Sequence, residues 1–221
     1  MPEWIVDLWI GQFGQETTTA MLQGLLQERP VTIRMRTEDE KAVEALRADL
    51  EKQGGTLKRH PYLSYAYVIE KTDDLTQLSG FEEGAFVIQD ISSMLAVEAL
   101  GLPKMDNQGT LKILDICAAP GGKSMLAADI LNHADIDYML EARDISEYKV
   151  ELMQENFNRC HLNKAKAVAW DALEPDERWL GQADVVIADI PCSGLGVIGR
   201  KRDIKYKMTP QAVQDIVELQ E

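Results

Sequence analysis

The sequence predicts an α/β protein with an open parallel sheet, preceded by a smaller α/β domain. Three observations predict this class. The stretch from Leu111 to Ser124 reads as a short apolar strand, a Pro-Gly-Gly turn and the start of a helix. Strand and helix patterns then alternate along the chain, as in βαβ units. Polar residues follow the predicted strands, where the ligand sites of open α/β sheets lie.

The first 80 residues are predicted to form the small domain, which is an ordinary size for one. Its helices are predicted from the helical spacing of apolar residues, and its strands from residues that alternate between apolar and polar. Glycine and proline mark where these elements end. These elements are helices over 2–14, 17–26 and 39–53 and strands over 31–36 and 65–69. The strand over 31–36 alternates so that Arg34 and Arg36 share one face, which we expect to be exposed.

Residues 81–221 are predicted to form the main domain. Its predicted elements are a helix ending at 100, a turn at 107–109, strands over 113–116, 138–140, 165–169 and 183–188, and helices beginning at 123, 147 and 210. Ser146 and Thr209 are the predicted N-cap residues of the last two helices. No internal repeat interrupts this order.

Four side chains follow the four predicted strands of this domain: Cys117, Asp144, Asp171 and Asp189. Because the carboxyl ends of parallel strands share one edge of a sheet, we weigh these residues together. Asp144 occupies the position at which nucleotide-binding folds place a carboxylate for ribose hydroxyls, and Glu141 is the alternative. The glycines before the helix let the backbone approach a ligand, and the helix N-terminus offers N–H groups to it.

Two common nucleotide motifs do not fit the loop. Gly122-Lys123-Ser124 would end a phosphate-binding loop, but Cys117 stands where its first glycine is required, and the dinucleotide fingerprint is absent. The run Cys-Ala-Ala-Pro-Gly-Gly-Lys resembles instead the first motif of the S-adenosylmethionine-dependent RNA cytosine-C5 methyltransferases, the Sun/Nop2/NSUN family. The run Asp-Ile-Pro-Cys-Ser-Gly at 189–194 resembles the family's Asp-Ala-Pro-Cys-Ser-Gly, with Ile190 for alanine. The resemblance covers nearly all of residues 2–220 and is greatest to the enzymes that act on bacterial 16S rRNA.

The resemblance implies a Rossmann-like class I methyltransferase sheet with S-adenosylmethionine as cofactor. It implies that Asp144 binds the ribose, that Asp171 lies at the adenine edge and that Asp189 also contacts the cofactor. The implied cofactor loop consists of Cys117, Ala118, Ala119, Pro120, Gly121, Gly122 and Lys123.

Methylation at carbon 5 of cytosine requires a thiolate that adds to carbon 6. The resemblance gives this role to a cysteine in a later Thr-Cys motif, gives Cys192 a role in product release and gives Asp189 the positioning of the base. The sequence contains no Thr-Cys pair, and only four of the family's seven strands are readable. We therefore expect a catalytic domain that is incomplete at its C-terminus and that lacks the family's N-terminal NusB-like domain. The alternative is that Cys192 is itself the nucleophile, as in DNA cytosine methyltransferases.

The formal charge of −14 does not favour a general nucleic-acid binder. Between residues 194 and 207, however, five basic residues accompany one acid. We predict that Arg200, Lys201 and Arg202 contact RNA phosphates. The resemblance also implies that Arg34 and Arg36 lie in an RNA-binding segment. The expected partner is therefore RNA, with 16S rRNA as the substrate.

No apolar run approaches the roughly 20 residues of a membrane span, and three cysteines are spaced for neither zinc nor disulfides. We expect a cytoplasmic protein without metal that is a monomer when full length. Two alternatives are a non-catalytic module that binds cofactor and RNA, and a phosphate-binding ATPase. A comparison of S-adenosylhomocysteine binding with ATP binding separates the ATPase from the methyltransferase and the binding module. Methyl transfer to rRNA then separates the methyltransferase from the binding module.

Overall fold

The structure, a computed structural model, describes residues 1–27, 30–37, 39–71, 74–105 and 109–221. Its helices are α1 (Glu3–Gly24), α2 (Glu40–Lys52), α3 (Ile91–Glu98), α4 (Gly122–His133), α5 (Glu147–Arg159), α6 (Ile204–Lys207) and α7 (Pro210–Gln220). Its strands are β1 (Val31–Met35), β2 (Thr56–Arg59), β3 (Ala66–Glu70), β4 (Phe86–Ile88), β5 (Leu111–Asp115), β6 (Tyr138–Asp144), β7 (Ala165–Ala169) and β8 (Val185–Ile187). The chain divides into two compact units, one of residues 1–29 with 190–221 and one of residues 30–189.

The larger unit contains a parallel sheet of four strands in the order β7-β6-β5-β8. Its central strand β5 pairs with β6 on one side and β8 on the other, and its residues Leu111, Ile113 and Leu114 are buried. Near-continuous burial is typical of a parallel strand that is covered on both faces. The predicted α/β class and all four predicted strands of this domain are confirmed.

The same unit contains an antiparallel sheet in the order β2-β3-β1-β4. The sequence pattern missed β2 and β4, because β2 has three exposed residues of four and β4 has only three residues. Since β4 pairs with β1, this sheet includes residues beyond position 80. The division of the chain at residue 80 stays a prediction.

The smaller unit contains α1, α6 and α7. Gly14 interrupts α1 with a φ of +79°, which explains why the sequence predicted two helices here. Ile5 and Trp9 of α1 form an apolar cluster with Ile198. At the start of α7, the Thr209 hydroxyl accepts a hydrogen bond from the amide of Ala212 at 3.1 Å, which confirms the predicted N-cap.

Two smaller expectations have different outcomes. Ser146 holds the N-cap position of α5 but makes no capping hydrogen bond with its side chain, and Asp144 Oδ1 instead accepts from the Ser146 amide at 3.1 Å. Asn107 and Gln108 of the predicted turn lie outside the described residues. Among the described helices, none has the length and apolar character needed to cross a membrane.

Candidate functional site at the carboxyl edge of the parallel sheet

The loop between β5 and α4 is fixed by hydrogen bonds to the neighbouring strands. The Ile116 amide donates to the Ile187 carbonyl at 3.0 Å, and the Ala118 amide donates to the Arg143 carbonyl at 2.7 Å. Gly121 then turns the chain into α4 with a φ of +97°. A Cβ atom at Gly121 would lie 3.1 Å from the Phe157 ring, so both backbone conformation and space require glycine there.

A buried hydrogen bond between Asp115 and Ser124 supports this loop. Both are almost fully buried, and Ser124 Oγ donates to Asp115 Oδ2 at 2.6 Å. Burial raises the pKa of Asp115 to about 6, against the opposing effects of the Ser124 hydrogen bond and the Lys123 charge. Ser124 therefore joins the start of α4 to the end of β5, a structural role that the phosphate-loop comparison did not suggest.

Asp144 and Glu141 lie on opposite faces of β6, because they are three positions apart and side chains alternate along a strand. Glu141 Oε1 accepts from Arg143 Nε at 2.7 Å, and Arg143 also contacts Asp176 at 2.5 Å. Asp144 is buried at the strand end, with Lys149 Nζ 3.4 Å from its carboxylate. Glu141 therefore forms an ion pair with Arg143 on the face of β6 opposite Asp144. This favours Asp144 over Glu141 as a ligand-binding carboxylate.

Asp171 and Asp189 complete the edge. Asp171 is half-buried after β7 and accepts a hydrogen bond from the Leu173 amide at 3.0 Å. Asp189 follows β8 and is exposed, and its carboxylate lies 2.5 Å from Lys123 Nζ at the start of α4. The sheet order brings the four strand ends to one edge, as the sequence predicted.

Cys117 lies in acidic surroundings. Burial raises the pKa of its thiol, and the negative charges of Asp144, Asp115 and Asp189 raise it further. A thiol in such a place stays protonated and is a poor nucleophile. The same charges would favour a cationic ligand at this point.

The predicted exposed face of Arg34 and Arg36 is wrong. Arg34 is 1% exposed and lies 2.5 Å from Asp129 of α4, while Arg36 Nη2 contacts the other oxygen of Asp129 at 2.6 Å. Arg36 also donates to the Gly84 and Cys160 carbonyls, both at 2.9 Å. Because Asp129 of α4 pairs with both side chains, these arginines hold the protein together and do not form an RNA-facing surface.

The remaining candidates belong to the smaller unit. Cys192 is exposed, and the preceding Pro191 carbonyl accepts from Gln220 Nε2 at 2.5 Å. The predicted RNA-contacting residues Arg200, Lys201 and Arg202 are exposed as well. Over the described ranges, no group of three or more His, Cys, Asp or Glu residues could hold a metal ion.

Sequence reasoning missed the contacts that Asp129 and Gln89 make with Arg34. The signal for Asp129 was present, since it is the one charged residue in the apolar run Met125–Leu131 of α4. A charge in such a run needs a buried partner. The contact of Gln89 with Arg34 could not be predicted from one polar residue after a short strand.

Solved structures of other proteins share this fold. The structure of PH0851 has a TM-score of 0.84 at 21% identity and covers 99% of this chain and 48% of its own. NSun6 from Pyrococcus horikoshii, solved with SFG, has a TM-score of 0.78 at 19% identity, covering 99% and 77%. These likenesses, with the loop and acids at the sheet edge, define the class as a Rossmann-like methyltransferase fold.

The sequence comparisons define the family. The sequence-family model described as 16S rRNA methyltransferase RsmB/F matches residues 102–221. The family model of the RsmF/B-like ferredoxin-like domain matches residues 1–76. A probable ribosomal RNA small subunit methyltransferase B of Bacillus subtilis is 32% identical, covering 99% of this chain and 47% of its own length. The ribosomal RNA small subunit methyltransferase B of Vibrio cholerae is also 32% identical, covering 99% and 48%. The chain belongs to the RsmB/F family of 16S rRNA methyltransferases, and it spans about half the length of these relatives.

Proposed function

We propose that this chain supplies the cofactor site and part of the catalytic site of an S-adenosylmethionine-dependent methyltransferase for carbon 5 of cytosine in 16S rRNA. The observation that carries the proposal is the edge at which the Cys117–Lys123 loop, Asp144 and Asp189 follow neighbouring strands. NSun6, whose structure matches this fold, was solved with SFG, an S-adenosylmethionine analogue.

The residues at this edge fit the cofactor. S-adenosylmethionine, when bound, supplies a methyl group on a positively charged sulfur. The acidic groups that raise the pKa of Cys117 complement this positive charge. The start of α4 directs backbone N–H groups at a carboxylate, and glycine at 121 and 122 keeps the approach open. Asp144 accepts hydrogen bonds from the ribose hydroxyls, and Asp171 lies at the adenine edge.

The catalytic roles follow the family pattern. Asp189 holds the base edge, and Lys123, whose Nζ lies 2.5 Å from the Asp189 carboxylate, keeps that carboxylate in place. Cys192 acts in product release. Cys117 is held as a thiol and Cys160 is buried, so neither serves as the nucleophile. We assign that role to a Thr-Cys motif outside these 221 residues.

Calorimetry with S-adenosylhomocysteine tests the cofactor site. We expect the wild-type chain to bind it and not ATP, and Asp144→Ala to weaken binding about 10- to 100-fold, because a charged hydrogen-bond acceptor is lost. The matched control is Glu147→Ala, which removes an exposed acid three residues away and should leave affinity unchanged. Wild-type affinity in Asp144→Ala would remove this residue from the site and return Glu141 to consideration.

Methyl transfer tests the reaction itself. Labelled methyl groups from S-adenosylmethionine should appear on 16S rRNA at cytosine carbon 5 when the chain is combined with the Thr-Cys segment of its family. Cofactor and RNA binding without any transfer in that combined protein would favour the non-catalytic binding module.

A further inference from the structure

Arg143 of β6 is a buried cation on the face of the sheet opposite Asp144, since neighbouring side chains of a strand alternate. Glu141 and Asp176 each contact its Nη2 at 2.5 Å. The side chains of Arg143 and Asp176 are only 4% and 5% exposed. Hydrogen bonds from Arg178 and Arg143 hold the pKa of Asp176 well below its usual value, so this partner is charged. The guanidinium group is therefore fixed between β6 and the segment that follows β7.

Two tryptophan rings of the same segment lie against this guanidinium group. Arg143 Cζ is 4.9 Å from the ring centroid of Trp170 and 6.0 Å from that of Trp179. A planar guanidinium can pair with carboxylates and stack on aromatic rings at the same time, whereas the ammonium of lysine has no plane to stack. Buried ion pairs are seldom more stabilising than apolar residues of the same volume, and in some proteins they contribute one fixed geometry. A role in fixing the geometry of residues 170–179 would account for this buried charge.

Trp170 connects this cluster to Asp171, the acid proposed for the adenine edge. The Trp170 amide donates to the Asp144 carbonyl at 3.1 Å, next to the last residue pair of β6 and β7. Its indole Nε1 donates to the Glu174 carbonyl at 2.9 Å, and the Glu174 amide donates to the Asp171 carbonyl at 3.0 Å. The backbone on both sides of Asp171 is therefore held by contacts of Trp170, whose ring lies on Arg143.

We propose that Arg143 is a positioning residue for the adenine of the cofactor. By holding the Trp170 ring, it sets the place of Asp171 relative to Asp144, the acid proposed for the ribose. This inference rests on the proposed function, and it adds to that site a residue that acts through Asp171 and does not touch the ligand itself. Its expected effect is selectivity for the base, because a carboxylate only accepts hydrogen bonds and the 6-amino group is the one donor on the adenine ring.

The variant Arg143→Lys tests the proposal. It keeps a positive charge for Glu141 and Asp176 but removes the planar group that lies on Trp170. Calorimetry compares S-adenosylhomocysteine with its analogue that carries purine in place of adenine and so lacks the 6-amino group. We expect the wild-type chain to prefer the adenine ligand by about 10- to 100-fold, the effect of a hydrogen bond to a charged group. Arg143→Lys should reduce this preference at least about twofold, the lower end of the coupling between residues of one network.

Further variants separate positioning from folding. Trp170→Leu leaves every charge of the cluster paired and should reduce the preference as well. Asp171→Ala should abolish the preference, and Arg143→Lys added to it should then change the preference no further. The matched control is Lys164→Met, which removes an ion pair with Asp137 at 2.7 Å and a cation above an aromatic ring, at the opposite end of β6 and β7. The control should leave the preference unchanged.

The outcomes separate this inference from the function on which it rests. Failure of the wild-type chain to bind S-adenosylhomocysteine would overturn both. With that binding intact, an unchanged preference in either Arg143→Lys or Trp170→Leu, once the thermal midpoint without ligand shows the variant to be folded, would overturn the role of Arg143 alone. So would a wild-type chain without preference for adenine, an equal loss of affinity for both ligands, or an effect of Arg143→Lys on preference that persists in Asp171→Ala.

Discussion

Removal of the Asp129 carboxylate should destabilise the larger unit strongly. Asp129 is 5% exposed and accepts hydrogen bonds from Arg34 Nη1 at 2.5 Å and from Arg36 Nε and Nη2 at 2.9 and 2.6 Å. Asp129→Ala leaves two guanidinium groups, that of Arg34 buried and that of Arg36 partly buried, without their shared counter-charge. Breaking a buried pair in this way costs about 3–5 kcal/mol of the free energy of unfolding. For a chain of this size, that corresponds to a fall of about 6–20 °C in Tm.

Urea denaturation followed by circular dichroism measures this loss. The matched control is Glu70→Ala, which breaks the exposed pair with Lys58 and should leave the free energy of unfolding unchanged within error. The triple variant Arg34→Met, Arg36→Met and Asp129→Leu should regain much of the stability, since it leaves no buried charge unpaired. A loss in Asp129→Ala below about 1 kcal/mol, the usual size of an exposed pair, would refute the reasoning.

Three further predictions concern the site. Because burial raises the Asp115 pKa from 3.8 to about 6, the folded state retains a proton that the unfolded state releases, and stability should fall by about 3 kcal/mol as pH rises from 3.5 to 7. Denaturation across this range should show the fall, and Asp115→Asn should lack this component; equal profiles would contradict it. Charge reversal of Arg200, Lys201 and Arg202 should reduce the slope of log affinity for RNA against log salt by roughly 2, and an unchanged slope would mean that they do not contact phosphates. The 221-residue chain with cofactor and RNA should form no adduct that survives denaturing electrophoresis, and an adduct lost in Cys192→Ala would make Cys192 the nucleophile.

The parallel sheet was predictable because its signals are local. An apolar run such as Ile113–Ile116 predicts a strand, and a glycine-rich turn predicts where the strand ends, each from a few neighbouring residues. The acids at the carboxyl edge follow from that pattern and from the geometry common to all such sheets. The strand order was not predictable in the same way, because pairing depends on contacts between distant segments.

The error at Arg34 and Arg36 shows where local pattern fails. Alternation placed both on one face of a strand, and exposure was the ordinary inference for arginine. What reversed it was Asp129, more than ninety positions later in the chain, which pairs with both arginines. This partner cannot be recognised from residues 31–36 alone.

The pairing of β4 with β1 has a consequence for how this protein can be divided or recombined. A cut at residue 80 would remove Phe86–Ile88 from the edge of the antiparallel sheet and would separate two arginines from their carboxylate. A chimera that takes the first sheet from a relative must therefore take residues 86–89 and a matching acid in α4 with it. An exchange of either sheet alone would leave buried charges on both sides of the junction.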